Sequence, residues 1–115
     1  MAVLPKIDLA VRNNVDGVWA RDVSAILAAD PEAATASWRM QVRSVADDHG
    51  VVLDIPATHG SIDLVAGVLI HRVPLSVMRT LEAGTYVWDG LYVTVSGRTV
   101  PWAAGAFVVE QGVTR

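Results

Sequence analysis

Apolar residues in this chain come in short runs, and nearly every run is closed by Gly, Pro, Asn or Asp. That punctuation constrains the fold more than any other feature. Strands of five or six residues need turns between them, whereas helices of three turns or more do not tolerate such frequent breakers. The clearest segment is residues 35–43, where Ala36, Trp38, Met40 and Val42 alternate with Thr35, Ser37, Arg39, Gln41 and Arg43. A period of two places the first set on one face of a strand and the second set on the other, so one face is buried and one is wet.

Residues 6–11 and 18–27 read as two further strands. Between them Asn13, Asn14, Asp16 and Gly17 tolerate the positive φ that a hairpin turn requires. Asp30-Pro31 marks a turn. A strand at 51–55 ends at Pro56, and residues 61–73 read as two strand pieces joined near Gly67. Residues 74–81 form the one expected helix: Pro74 suits its first turn, Leu75, Met78 and Leu81 share a face, and Gly84 stops it. It is expected to plug one end of the fold. Strands at 84–95 and 99–110 follow, joined by a tight turn at Ser96-Gly97-Arg98. Gly105 is expected to mark a bulge, and Pro101 to place part of the last strand at a sheet edge. About seven strands with one short helix make an all-β chain, an immunoglobulin-like β-sandwich in a single domain spanning residues 1–115.

Composition narrows the function classes. Of 115 residues 52% are hydrophobic and 18% charged, too apolar for a disordered chain. Twenty Val and sixteen Ala, against one Phe, supply that fraction. No charge-free run approaches the ~20 residues of a membrane-spanning helix, so no membrane insertion is expected. Lys6 is followed at once by Ile7 and Asp8, which leaves no apolar stretch for a secretory leader. A net charge of −3 with scattered basic residues argues against nucleic acid. The absence of Cys excludes disulfides, a thiol nucleophile and a thiolate metal site.

The residues that carry chemistry give little more. Asp47, Asp48, His49, Asp54 and His59 share a turn-rich stretch, yet no pair has a spacing that converges ligands on one point, and a solvated loop is the better reading. His71 lies in an apolar strand and reads as packed. There is no nucleophile elbow and no phosphate-cradling loop, and nothing singles out a catalytic pair among Asp54, Asp63, Glu82 and Asp89. No enzyme, metal site or cofactor is expected. Gly84-Thr85-Tyr86 matches a tyrosine corner, with Gly84 in the turn and the Tyr86 phenol pinning the crossover.

The tryptophans and the last two strands point to surface chemistry. Trp38 and Trp88 fall on buried parities; Trp19 and Trp102 are ambiguous, with a core position the first reading for both and a surface position, where indoles could stack on a cell-surface glycan, the alternative. In residues 84–95, Tyr86, Trp88 and Tyr92 occupy one parity and Val87, Leu91, Val93 and Val95 the other. Unless a bulge at Gly90 swaps the parity, the outer face is apolar and needs a cover. The candidate interface comprises Trp19, Trp102, Phe107, Val109 and the Arg39/Arg43 stripe.

The C-terminal half also resembles a known class. The string Leu81-Glu82-Ala83-Gly84-Thr85-Tyr86-Val87-Trp88-Asp89, the Ser-Gly hairpin, Gly105 with Phe107-Val108-Val109, and the closing Gly112-Val113-Thr114-Arg115 are similar to those of small immunoglobulin-like virion proteins of tailed bacteriophages and prophages. Ser37-Trp38-Arg39-Met40-Gln41-Val42-Arg43 resembles their mid-chain strand, while Asp30-Pro31-Glu32-Ala33-Ala34 differs from the turn that precedes it there. The resemblance implies a non-enzymatic building block of the tail, baseplate or capsid surface, assembled in the bacterial cytoplasm and located in the virion. Its partners would be other virion proteins or copies of itself. The competing expectation is a carbohydrate- or receptor-binding module.

Overall fold

The computed structural model describes residues 5–45, 50–56 and 59–112. Eight strands form two sheets packed face to face. One has five strands in the order β1 (Leu9–Arg12), β8 (Thr99–Glu110), β7 (Gly84–Val93), β3 (Ser37–Ser44) and β4 (Val51–Ile55). The other has three, in the order β2 (Gly17–Asp22), β6 (Val68–Val73) and β5 (Ser61–Val65). All pairings are antiparallel except β1 with β8, which is parallel. This is the immunoglobulin-like sandwich expected from the run lengths, with β4 added beside β3 as in the variable type.

The alternation in β3 holds as read: Trp38, Met40 and Val42 are buried. Residues 61–73 do split into two strands, joined by Ala66 and Gly67, both at positive φ. Other expectations need correction. Residues 18–27 are not one strand, because β2 ends at Asp22 and Ser24–Ala29 forms a helix, α1. The Asp22 carboxylate accepts the Ser24 N–H at 2.8 Å, and the Ala and Leu that follow favour helix once that turn has started. A 3-10 turn, Pro31–Thr35, then carries the chain to the opposite sheet, with Asp30 as its cap. Among the described residues there are thus eight strands and two α-helices, against the expected seven or so strands and one helix. The second helix, α2 (Leu75–Met78), is a single turn, and only Met78 within it is fully buried. Its first N–H is taken by the Asp16 carboxylate at 2.9 Å.

The largest correction concerns β8. The register between β7 and β8 shifts at Gly90/Leu91: Gly90 faces Ala103 and Leu91 faces Pro101, so Trp102 is the extra residue. The bulge lies at Trp102, not at Gly105. Gly90 is free of a side chain where the bulged indole lies, since a Cβ there would sit 2.6 Å from Trp102 Nε1. Gly105 has a different role. A Cβ on it would fall 1.9 Å from the Ile7 carbonyl oxygen, so the N-terminal segment can lie against β8 only because this position is bare. The segment is held there by Ile7 N–H donating to Ala104 O (2.9 Å) and by the Trp88 indole N–H donating to Ile7 O (2.7 Å).

The core between the sheets is aromatic at one end. Trp38 packs on Tyr92 (centroids 4.7 Å apart) and on Trp102 (5.8 Å), and Trp102 packs on Trp88 (6.1 Å). Toward the other end Phe107 meets Trp19 edge-on at 5.6 Å. The tyrosine corner forms as read, the Tyr86 hydroxyl donating to Glu82 O at 2.7 Å, with Gly84 opening β7 beside it.

The contact at Gly105 yields a direct test. Gly105→Ala forces Ile7 off β8 and is expected to cost about 2 kcal/mol or more in urea unfolding, the size of an overpacked core contact. Amide exchange at Ile7 should accelerate in the variant; unchanged exchange and stability would contradict this docking.

Candidate functional site

The bulge decides which residues the chain offers to a partner. Past it, Ala103, Phe107 and Val109 face inward and are buried. Trp102 is only 7% exposed, and Phe107 is fully enclosed. Three of the residues expected at an interface, Trp102, Phe107 and Val109, are therefore core. A fourth, Trp19, is half-buried and turned inward, stacked on His71 at 5.5 Å. Without the extra residue Phe107 and Val109 would lie opposite Trp102; with it all three share the inner side. Arg39 and Arg43 do lie on the outer face of β3 as read.

What the outer face of the five-stranded sheet presents instead is the other parity. Val87 is 43% exposed, Val93 is also exposed, and Leu91 is half-buried. Beside them on β8 stand Ala104, Ala106 and Val108, and on β1 Ala10, which pairs with Val108. Part of this strip is a groove of about 500 Å3 walled by Pro5 and Lys6, with Thr85, Val87, Ala104 and Ala106 along it. The bulge does not swap the parity of β7, so Val87, Leu91 and Val93 remain outside together. Their exposure was legible in the sequence; the contribution of Ala104, Ala106 and Val108 was hidden by the bulge.

A charged patch borders the apolar strip. Arg39 forks onto Asp54 from the neighbouring strand, Nε to Oδ1 at 3.2 Å and Nη2 to Oδ2 at 3.0 Å. Gln41 donates its amide to the same carboxylate at 3.4 Å and accepts from Arg43. The Arg39 hydrogen bonds hold the Asp54 carboxyl below the usual carboxylate range. Asp89 stands across from Gln41 on β7. Arg39, Gln41, Arg43, Asp89 and Leu91 line a shallow concavity of about 150 Å3.

Two further polar groups were not singled out by sequence. At one end of the sandwich Arg98 bridges Asp30 (3.0 Å) and Glu32, and the buried ring of Tyr92 donates its hydroxyl to Asp30 at 2.7 Å. That network ties the 3-10 turn to the β7–β8 hairpin. At the other end the Asn13 side chain donates to Leu81 O and accepts from Gly112 N–H, both at 3.0 Å. Both are structural staples across long stretches of chain. Asp47, Asp48 and His49 lie outside the described residues, and no group of three potential metal ligands occurs among the described ones.

His71 is packed as read, and its environment has a consequence. The ring is 3% exposed and its Nδ1 has no hydrogen-bond partner. Burial is the main cause that pulls its pKa down to about 4, against an opposing hydrogen bond to the Trp19 backbone. The unfolded chain takes up the proton near the ordinary histidine value of 6.5 while the fold refuses it. Stability is then fully present above pH 6.5 and is lost as the pH falls toward 4. The loss amounts to roughly 3 kcal/mol. His71→Phe, which keeps a ring against Trp19, should flatten that slope in pH-dependent thermal unfolding. An unaltered slope would show that another group carries it.

No protein-family model matches the chain, and no curated protein sequence does. Among solved structures, that of CopC from Methylosinus trichosporium OB3b is similar with a TM-score of 0.41 and 15% identity, covering 69% of this chain and 67% of CopC. At that level the likeness carries no argument about a site.

Proposed function

We propose that this chain is a non-enzymatic structural subunit, a building block of a tailed-bacteriophage particle that works by protein–protein assembly. The observation that carries the assembly reading is the apolar strip on the outer face of the five-stranded sheet. Val87 stands beside Ala106, with Val108 further along β8 and Leu91 and Val93 beyond Asp89 on β7; all lie on the outer parity of this hairpin, exposed or half-buried, next to a charged rim. A small domain leaves such a surface open only at a cost, and covering it returns about 25 cal/mol for each Å2 of apolar area removed from water. The virion class itself is supported by the resemblance of residues 35–115 to small immunoglobulin-like virion proteins.

The glycan-binding alternative is less well supported, because it relied on exposed Trp19 and Trp102. Both indoles are committed to the core, Trp102 against Trp38 and Trp88 and Trp19 against Phe107 and His71. Trp102 is enclosed, and Trp19, half-buried, has one face stacked on His71.

The test is sedimentation with the particle. When the encoding phage or prophage is induced, the chain should band with assembled particles on a density gradient. A Leu91→Asp/Val93→Asp variant, altered only on the outer face, should fold normally and stay at the top of the gradient. A wild-type chain that remains at the top while particles form would overturn the virion reading.

A further inference from the structure

The outer face of the five-stranded sheet carries its own electrostatic complement. The β3–β7 register sets Gln41 opposite Asp89 and Arg43 opposite Val87, so these four side chains form a diamond. Arg43 and Asp89 are at opposite corners. Neither is satisfied by an ion pair: among the described residues Arg43 bonds only to the neutral Gln41 amide, and Asp89 has no side-chain partner. Arg39 is directed to Asp54 instead, through Nε and Nη2. The outer face of the three-stranded sheet differs on this point. It too exposes valines, Val18 and Val65, but its cation Arg72 is already paired with Asp63 at 3.3 Å.

A two-fold axis lying in the five-stranded face, along the diagonal from Gln41 to Val87, exchanges the other two corners. Each copy's Arg43 then lies over the other copy's Asp89, and the pair forms twice. On the axis Val87 meets Val87 and Gln41 meets Gln41, as an isologous contact requires. The apolar strip continues from Val87 toward Ala106 and Val108 and is covered by the same movement.

Resting on the reading of this face as an assembly surface, we propose that its occupant is a second copy of this chain, docked face to face about that axis with reciprocal Arg43–Asp89 pairs. Two charges of this face that form no ion pair among the described residues become the register of the dimer, and the exposed valine becomes its centre. Charge complementarity of this kind fixes orientation and rejects other arrangements more than it adds raw affinity.

The experiment uses the full chain at a series of concentrations in sedimentation equilibrium. Wild type should be dimeric. Arg43→Asp and Asp89→Arg, each placing like charges at both contacts, should weaken self-association about tenfold or more. An equimolar mixture of the two variants should restore a dimer, since every contact is again between opposite charges. The chain has no Cys, so a single introduced thiol reports the axis. Val87→Cys should yield a covalent dimer on mild oxidation, and Val65→Cys, on the other sheet, should not. The proposal is overturned if the mixed variants fail to associate, if Val65→Cys cross-links as readily as Val87→Cys, or if wild type is monomeric at its highest soluble concentration. None of these outcomes alters particle sedimentation, which reads the wider function. A dimer that never bands with particles would leave this interface standing and remove the virion reading.

Discussion

One extra residue in the last strand governs most of what this chain presents to its surroundings. The bulge at Trp102 lets two consecutive residues, Trp102 and Ala103, both face the core. Every later residue of β8 is thereby shifted onto the opposite parity. Phe107 and Val109 turn inward to meet the three-stranded sheet, and Ala104, Ala106 and Val108 turn outward. Without the bulge Phe107, the largest fully buried side chain of the strand, would face solvent and small residues would line the core. The bulge depends in turn on Gly90, which clears the space for the indole. The N-terminal segment depends on Gly105, against which Ile7 lies.

The outer face follows from the same event. A strand pair whose inner side carries Trp88, Tyr92, Trp102 and Phe107 has its bulk concentrated in the core, and the outer apolar residues are small Val, Leu and Ala, set among Thr85, Asp89 and Thr99. Small aliphatic side chains make a flat surface suited to another flat surface, and the Arg39–Asp54–Gln41–Arg43 chain gives it a polar border. The many valines of the sequence thus divide into two populations. Val42, Val73 and Val109 fill the sandwich. Val87 and Val93 on β7 and Val108 on β8 face outward instead.

Much of the sandwich was legible in the sequence because alternation and turn residues act locally. The β3 parity, the Ala66-Gly67 hairpin and the Tyr86 corner each follow from a few adjacent residues. What local reading missed was set in one place by a competing turn signal and in the others by partners distant in the chain. Residues 23–29 look as apolar as a strand, but the Asp22 carboxylate starts a helix there. Gly105 looks like a bulge, but it is bare because Ile7, far earlier in sequence, lies against it. The error over Phe107 and Val109 has the same origin, since the bulge that reorients them is imposed by the β7 register. The outer parity of β7 was readable, and the residues that complete its surface on β8 were not.

The central claim is that the outer face of the five-stranded sheet is covered when the chain assembles. Hydroxyl-radical footprinting of dilute and concentrated protein, read by mass spectrometry, addresses it residue by residue. Val87, Leu91 and Val93 should lose reactivity as association proceeds, while Val18 and Val65 on the other sheet stay equally reactive. Protection of Val18 and Val65 instead, or no protection at Val87, would contradict the account.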